Sequence, residues 1–392
     1  MSYKEIAIGE VCKYTTSGGT PKSNINEYYN PPTIPWLKTK EVNYCRIYET
    51  ETYISEEGLE KSSAKLIPPN SVIVAMYGQG DTAGRVAINK IPLTTNQACC
   101  NLIIDEGKAN YEFVYYALTT LYSKLVSLKN GGAQPNLNAT LVRGIKIPYP
   151  DLSIQHRIAD ILSAYDDLIE NNRKQIKLLE EAAQRLYKEW FVDLRFPGHE
   201  HIKIVDGVPE GWKKERLVDI ADVQYGYAFD GALFNSKKSG TPIIRIRNIP
   251  ESQTEDYTTE AADSQYLVYN GDIVVGMDGE FHINSWAGNT AYLVQRTCRI
   301  KPLNSDLNGF LLWAIYEPIK YFERTVVGAT VAHLGKKHID TIQILVPTEK
   351  FYLPFKTLFD KRLLLMNQNK KLAEARDRLL TKLMSGEVEV WK

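Results

Sequence analysis

The stretch SIQHRIADILSAYDDLIENNRKQIKLLEEAAQRLYKEWF, Ser153 to Phe191, holds neither Pro nor Gly. Its apolar side chains recur at Ile154, Ile158, Ile161, Tyr165, Ile169, Ile176, Leu179, Ala183, Leu186 and Trp190. From Ile158 to Ile169 the steps run 3, 4, 4, and from Ile169 they alternate 3 and 4 if Asn172 is counted. This is a heptad seam, narrower than the stripe of a helix lying on a globular core. A single helix of this length spans roughly 55 Å at 1.5 Å per residue. A seam of that length needs a partner.

The partner is predicted near the other end of the chain, from about Phe351 to Ser385. Shifted by 196 residues, Ile169, Ile176, Leu179 and Ala183 fall on Leu365, Leu372, Ala375 and Leu379. Asn172 falls on Gln368, so each seam carries one polar residue, a common device for fixing register. Gly386 is a fitting stop. Residues 151–195 carry 9 acidic and 7 basic side chains, whereas 349–384 carry 4 and 9. Opposite net charge favours pairing with each other over self-pairing. The seam residues expected to make the pairing are Ile169, Asn172, Ile176 and Leu179 against Leu365, Gln368, Leu372 and Leu379.

Matches at similar, slowly drifting offsets run collinearly through the whole sequence, which is a tandem duplication. Tyr3 to Val11 matches Trp212 to Ile220. Pro35 to Val42 matches Pro242 to Ile249. Ser71 to Gly78 matches Asp272 to Gly279, and Gln97 to Leu102 matches Gln295 to Ile300. Each half opens with β-rich sequence, including the β-branched runs Val72 to Met76 and Ile273 to Val275. An aromatic helix follows in each, Tyr111 to Leu128 behind the N-cap Asn110, and about Phe310 to Arg324. A last strand, Ile145 to Pro148 or Ile342 to Pro347, leads into the long helix. The expected fold is α+β: two β-rich domains, 1–150 and 196–347, separated by two long helices, 151–195 and 348–392, that form an antiparallel coiled coil. Joined this way, the domains are expected at opposite ends of the helix pair, about a pseudo-two-fold axis.

Composition places the chain among globular proteins, with 44% hydrophobic and 24% charged residues. No run of 18 apolar residues and no signal-peptide pattern is present, so a cytoplasmic location is expected. The 47 basic and 47 acidic side chains cancel, which argues against bulk electrostatic attraction to nucleic acid but not against a reader with its basic groups on one face. The five cysteines, Cys12, Cys45, Cys99, Cys100 and Cys298, and the six histidines show no metal-ligand spacing. Reduced, mostly buried thiols are expected, and no metal.

Several stretches together resemble the specificity (S) subunits of type I restriction–modification systems. They are Ser17-Gly18-Gly19-Thr20-Pro21-Lys22, Ile34 to Thr39 with Glu41-Val42, Gly226-Tyr227-Ala228-Phe229, Ile244 to Ile249 and Gly271 to Gly279. The helical signatures are Ile154 to Leu162, Leu168 to Asn172 and Ser385-Gly386-Glu387-Val388. The resemblance covers essentially the whole chain. It departs at Phe351 to Leu358, which lacks the Gln that Gln155 supplies in the first half. The resemblance implies two target recognition domains, each reading half of a bipartite double-stranded DNA sequence. The helices would set the gap between the halves and dock two copies of a modification (methyltransferase) subunit, which carries S-adenosylmethionine. It leaves open whether a restriction subunit joins, and it implies no catalysis and no cofactor in this chain.

The residues contain no convincing catalytic motif of their own. Asn30-Pro31-Pro32-Thr33 approaches an adenine-methyltransferase motif, but Thr33 stands where an aromatic must stack on the flipped base, and a loop turn is the better reading. Gly78-x-Gly80-x-x-x-Gly84 lacks the Lys-Ser/Thr of a phosphate loop. Candidate DNA contacts are Lys38 and Lys40, and Arg245 and Arg247, on the same face of equivalent strands. Gln79, Arg85 and Gln134 in the first half, and Asp278, His282, Thr330 and His333 in the second, add loop donors and acceptors. Trp36 is expected in the core. The other reading is a two-domain scaffold binding peptides or glycans.

Overall fold

The computed structural model describes residues 3–78, 80–128, 136–325 and 332–390. It contains two compact units. Unit 1 is Met1–Asp167 with Leu372–Lys392, and unit 2 is Leu168–Lys371. Both boundaries fall inside the long helices.

In unit 1 the strands are β1 (Glu5–Ala7), β2 (Cys12–Ser17), β3 (Ile34–Leu37), β4 (Cys45–Ile47), β5 (Tyr53–Ile54), β6 (Val72–Ala75), β7 (Val86–Asn89), β8 (Thr94–Thr95), β9 (Cys99–Ile104) and β10 (Lys146–Pro148). They form a five-stranded sheet in the order β2-β9-β6-β7-β4, a three-stranded sheet β5-β3-β8, and the pair β1-β10. The run Val72–Ala75 is buried at every position, as a strand covered on both faces must be. One face packs with Phe113, Val114, Tyr116 and Leu118 of the aromatic helix, the other with Leu37, Val42 and Leu93.

Unit 2 repeats this plan. Its strands are β11 (Ile204–Val205), β12 (Val208–Pro209), β13 (Lys213–Arg216), β14 (Ala221–Tyr225), β15 (Phe234–Asn235), β16 (Thr241–Ile244), β17 (Tyr257–Thr258), β18 (Leu267–Val268), β19 (Ile273–Gly276), β20 (Ile283–Ser285), β21 (Ala291–Leu293), β22 (Thr297–Pro302) and β23 (Gln343–Val346). The sheet β14-β22-β19-β20 corresponds to β2-β9-β6-β7, the run β17-β16-β21 to β5-β3-β8, and β13-β23 to β1-β10. The internal strand β16 runs parallel to β21, as β3 does to β8. The duplication read from sequence is therefore a duplication of topology, with β15, β18 and the pair β11-β12 added in the second copy and β4 without a counterpart among its described residues.

The first long helix is Leu152–Tyr187, followed by a five-residue π-helical turn, Lys188–Val192. The second is Glu349–Ser385. It stops as expected. Gly386 takes φ 73°, its N–H reaches the Leu383 carbonyl, and the Glu387 N–H reaches the Lys382 carbonyl at 3.0 Å, satisfying carbonyls the helix leaves open. Both aromatic helices are shorter than the pattern suggested. The first divides into Tyr111–Thr119 and Tyr122–Ser127, the second into Asn308–Ala314 and Tyr316–Thr325. Asn110 caps the first as expected, accepting from the Phe113 N–H at 2.9 Å.

Within unit 2 the long helices run antiparallel. Tyr187 meets Phe355, Glu180 meets Arg362 and Asn172 meets Asn369, so the numbering rises on one helix as it falls on the other. Within unit 1, Asp166 meets Arg376, and Ile158 and Leu162 share a cluster with Leu383 and Met384. The seam differs from its reading in two places. Leu162 is fully buried and Ile161 only partly, so the 3, 4 alternation is continuous from the buried Gln155 onward. Gln368 is exposed, and its neighbour Asn369 accepts from the Asn172 side chain at 2.9 Å. Ile169 and Leu365 are buried, while Ile176, Leu179, Leu372 and Leu379 are half-buried.

The missing Gln of the second half has a physical explanation. Gln155 is fully buried. It accepts from the Asn110 N–H at 3.1 Å and donates to the Pro150 carbonyl at 2.9 Å, tying the helix start to the aromatic helix. The equivalent residue is Phe351, which packs edge-on against Trp190 and Phe196. Unit 2 thus replaces a polar tie with an aromatic cluster that includes Phe191, Trp212, Phe310 and Phe355.

Candidate nucleic-acid interface

In each unit, β3 or its counterpart β16 ends sooner than the sequence pattern implied. β3 stops at Leu37, and Thr39–Glu41 is a single 3₁₀ turn with Lys38 ahead of it. β16 stops at Ile244, and Ile246–Asn248 is the matching turn with Arg245 ahead of it. Lys38/Lys40 and Arg245/Arg247 are therefore not residues of one strand face. Each pair lies on a turn whose third residue, Glu41 or Asn248, accepts a hydrogen bond from the backbone N–H of Lys38 or Arg245. This closes the turn and leaves four residues too few for an alternating strand. Trp36 sits in the core, as expected, at 5% exposure, and its indole N–H donates to the Gly19 carbonyl.

Three segments converge beside each turn. In unit 1 the loop after β6 carries Arg85, whose guanidinium donates to Asn43 at 3.0 Å, just beyond the basic turn. The Leu137 N–H, just ahead of the short helix Ala139–Arg143, reaches back to the Met76 carbonyl. Unit 2 has the same tie: the Leu334 N–H donates to the Met277 carbonyl and the Gly279 N–H to the Ala332 carbonyl. Asp278 and His333 face each other across an isolated antiparallel bridge, with His333 Nδ1 2.5 Å from an Asp278 carboxylate oxygen. The structure brings these two candidates together. His282 lies at the end of the same loop, 3.6 Å from Glu280. Gln79, Gln134 and Thr330 lie outside the described residues.

The candidate cations already have neighbours. Lys38 lies 5.2 Å over the Trp36 ring, and Arg245 is 5.8 Å from the Phe234 ring. Lys40 pairs with Glu51, Arg247 with Asp256 at 2.6 Å, and Arg85 with Asp81 at 2.6 Å. The hydrogen bond to Glu51, with its charge, raises the Lys40 ammonium pKa. Sequence reasoning missed these carboxylates and also Arg296, which lies 3.4 Å from Asp278 and 3.2 Å from His333. Only Asp81 carries a local signal, its i,i+4 spacing to Arg85. Exposed pairs of this kind are weak, so a phosphate or a base edge competes with the carboxylate for the same donors.

The surroundings are otherwise structural. Arg299 is buried and held by the Leu267 carbonyl and Asp222. Cys99, Cys100 and Cys298 are buried and Cys12 and Cys45 half-buried, all as free thiols. Among the described residues no group of His, Cys, Asp and Glu is arranged to hold a metal ion. Among the described residues no helix is long and apolar enough to cross a membrane.

The family model of the type I restriction modification DNA specificity domain matches residues 2–181 and 209–351, once over each copy of the repeat. The MjaIX specificity subunit of Methanocaldococcus jannaschii is 29% identical over 98% of this chain and 92% of its own length. The EcoR124I/EcoR124II specificity subunit of Escherichia coli is 31% identical over half of each chain. In fold, the crystal structure of a type I restriction–modification S subunit from M. genitalium matches all of this chain and 97% of its own, with a TM-score of 0.58 at 16% identity. With its duplicated frame, paired long helices and family match over both copies, the chain belongs to the type I restriction–modification DNA specificity family, as a non-catalytic specificity subunit that directs an enzyme complex to its DNA.

Proposed function

We propose that residues 1–150 and 196–347 are two target recognition domains, each reading one half of a bipartite double-stranded DNA site. The observation that carries this reading is the reuse of one frame with different side chains at the same three converging segments. The strands that the two copies share pair in the same order, while the turns present Lys38 and Lys40 in one copy and Arg245 and Arg247 in the other. A scaffold held constant under variable loops is how one fold reads different sequences.

The long helices, 151–195 and 348–392, are the spacer that sets the unspecified gap. They also dock two copies of a modification subunit, which supplies S-adenosylmethionine and the methylation chemistry; a restriction subunit joins the same assembly where the system has one. Leu168 and Leu364 support this docking. They are equivalent in the repeat, and each leaves about half its surface exposed, 52% and 51%. Two like anchors suit two copies of one partner. Because the chain has no net positive charge to supply counterion release alone, tight DNA binding needs the partner subunits, and the chain by itself binds DNA weakly. The test is methylation by the assembled complex on DNA carrying the native site or scrambled half-sites. Loss of methylation when either half is scrambled is expected; equal methylation of all substrates would sink the reading.

A further inference from the structure

The two long helices are linked by a pair of ion pairs that the duplication relates but that carry opposite polarity. In unit 1, Asp166 of the first helix accepts from Arg376 of the second. In unit 2, Glu180 of the first helix accepts from Arg362 of the second at 2.7 Å. Arg362 stands where Asp166 stands in the repeat, and Arg376 where Glu180 stands. The position is therefore shared and the sign is reversed. Asp166 and Arg362 are among the least exposed charges of the chain, their side chains 13% and 9% accessible. Solvent screens such groups poorly, so the sign of what faces them matters.

Two copies of the first helix, set against each other in the same register, would place Glu180 where Arg376 belongs, opposite Asp166. Carboxylate would then face carboxylate at both ends of the contact. Arg173 would replace Asn369 opposite Asn172, removing the seam's cross-helix amide bond. Two copies of the second helix would set Arg362 against Arg376. The apolar seam alone does not prevent such self-pairing, since both helices carry the same heptad spacing.

We infer that the charge-swapped pairs Asp166–Arg376 and Glu180–Arg362 make the two halves of this chain pair only with each other, and so exclude assembly of a first half with a second first half. The surface is the helix seam, and the partner it fits is the chain's own other helix. The device gives the protein two unlike readers rather than two identical ones.

The test uses the whole chain with a protease site placed in the exposed turn at Gly207, cut after purification. Two preparations with different tags on the N-terminal fragment are mixed, incubated and read by native mass spectrometry. Mixed pairs of N- and C-terminal fragments are expected in at least tenfold excess over N–N and C–C pairs. The swap Asp166→Arg with Arg376→Asp keeps every mixed pair opposite in charge but makes each helix complementary to itself. It is expected to retain mixed pairs and to raise the self-pairs at least tenfold. The swap Glu180→Arg with Arg362→Glu tests the other ion pair in the same way. The inference is overturned if the native fragments self-pair freely, or if neither swapped chain yields more self-pairs than the native one. It is also overturned if neither swapped chain holds its mixed pair.

Discussion

Arg362 shows how much one side chain connects. It reaches Glu180 on the facing helix and Ser285 Oγ and Asn284 Oδ1 on β20, at 2.7, 2.6 and 2.7 Å. Arg362→Ala leaves those acceptors without their donor, at a cost of about 3 kcal/mol, read as a shift of the urea midpoint followed by the tryptophans of unit 2. Arg247 stands at the other extreme. It is exposed and pairs with Asp256 at the surface, where such a pair contributes little to stability. Arg247→Ala is expected to leave the folding midpoint unchanged. It relaxes methylation specificity in one half-site only, measured by sequencing methylated sites; a change in both halves would contradict separate readers. The thiols give a pH prediction. Burial pushes Cys100 and Cys298 up to about 12. A raised pKa keeps the thiol protonated at pH 8, with a thiolate fraction of about one in ten thousand. Both are expected to resist a thiol reagent at pH 8 until the chain is unfolded in urea, and labelling of the native chain within minutes would contradict this. None of these partnerships was legible from the sequence. Glu51 and Asp256 lie eleven and nine residues from Lys40 and Arg247, and nothing in local spacing shows that the chain folds back there.

At the scale of elements, the heptad step of the long helices was plain, because 3, 4 alternation survives any tertiary context. Which polar residue faces the seam was not. From the buried Leu365 the seam steps by four to Asn369, whereas a step of three, equally compatible with a heptad, reaches Gln368. The repeat alignment pointed to Gln368, and packing selected Asn369. Asn369→Ala is accordingly expected to cost about 1 kcal/mol in thermal or urea unfolding, while Gln368→Ala is close to neutral. Equal effects would place the seam elsewhere. The turns at Lys38 and Arg245 were misread for a similar reason. Alternation over a few residues looks like a strand, yet a side-chain bond from Glu41 or Asn248 to the backbone closes a 3₁₀ turn instead. Gly386 holds a left-handed conformation, so Gly386→Ala is expected to lower stability by about 1 kcal/mol and fray the last helical turn, seen as faster amide exchange at Leu383 and Met384.

At the scale of the molecule, the repeat and the helix pairing could be read in advance because both are written as periodicities. The side chains proposed to read DNA follow no period, so the sequence offers candidates and no pattern to choose among them. If the helices are the spacer, four residues inserted N-terminal to Asn172 are expected to change the tolerated gap and leave both half-sites intact, as measured by methylation of a gap-length series. An altered half-site at unchanged gap would contradict the spacer role. Unit 1 is built from two separated pieces of chain, and all of unit 2 lies between them in sequence. On the ribosome, Ile158, Leu162 and Asp166 therefore lack their cover from Leu383, Met384 and Arg376 until the whole second unit has been made. A nascent chain that stalls before Leu372 keeps this part of the greasy stripe open to chaperones and proteases.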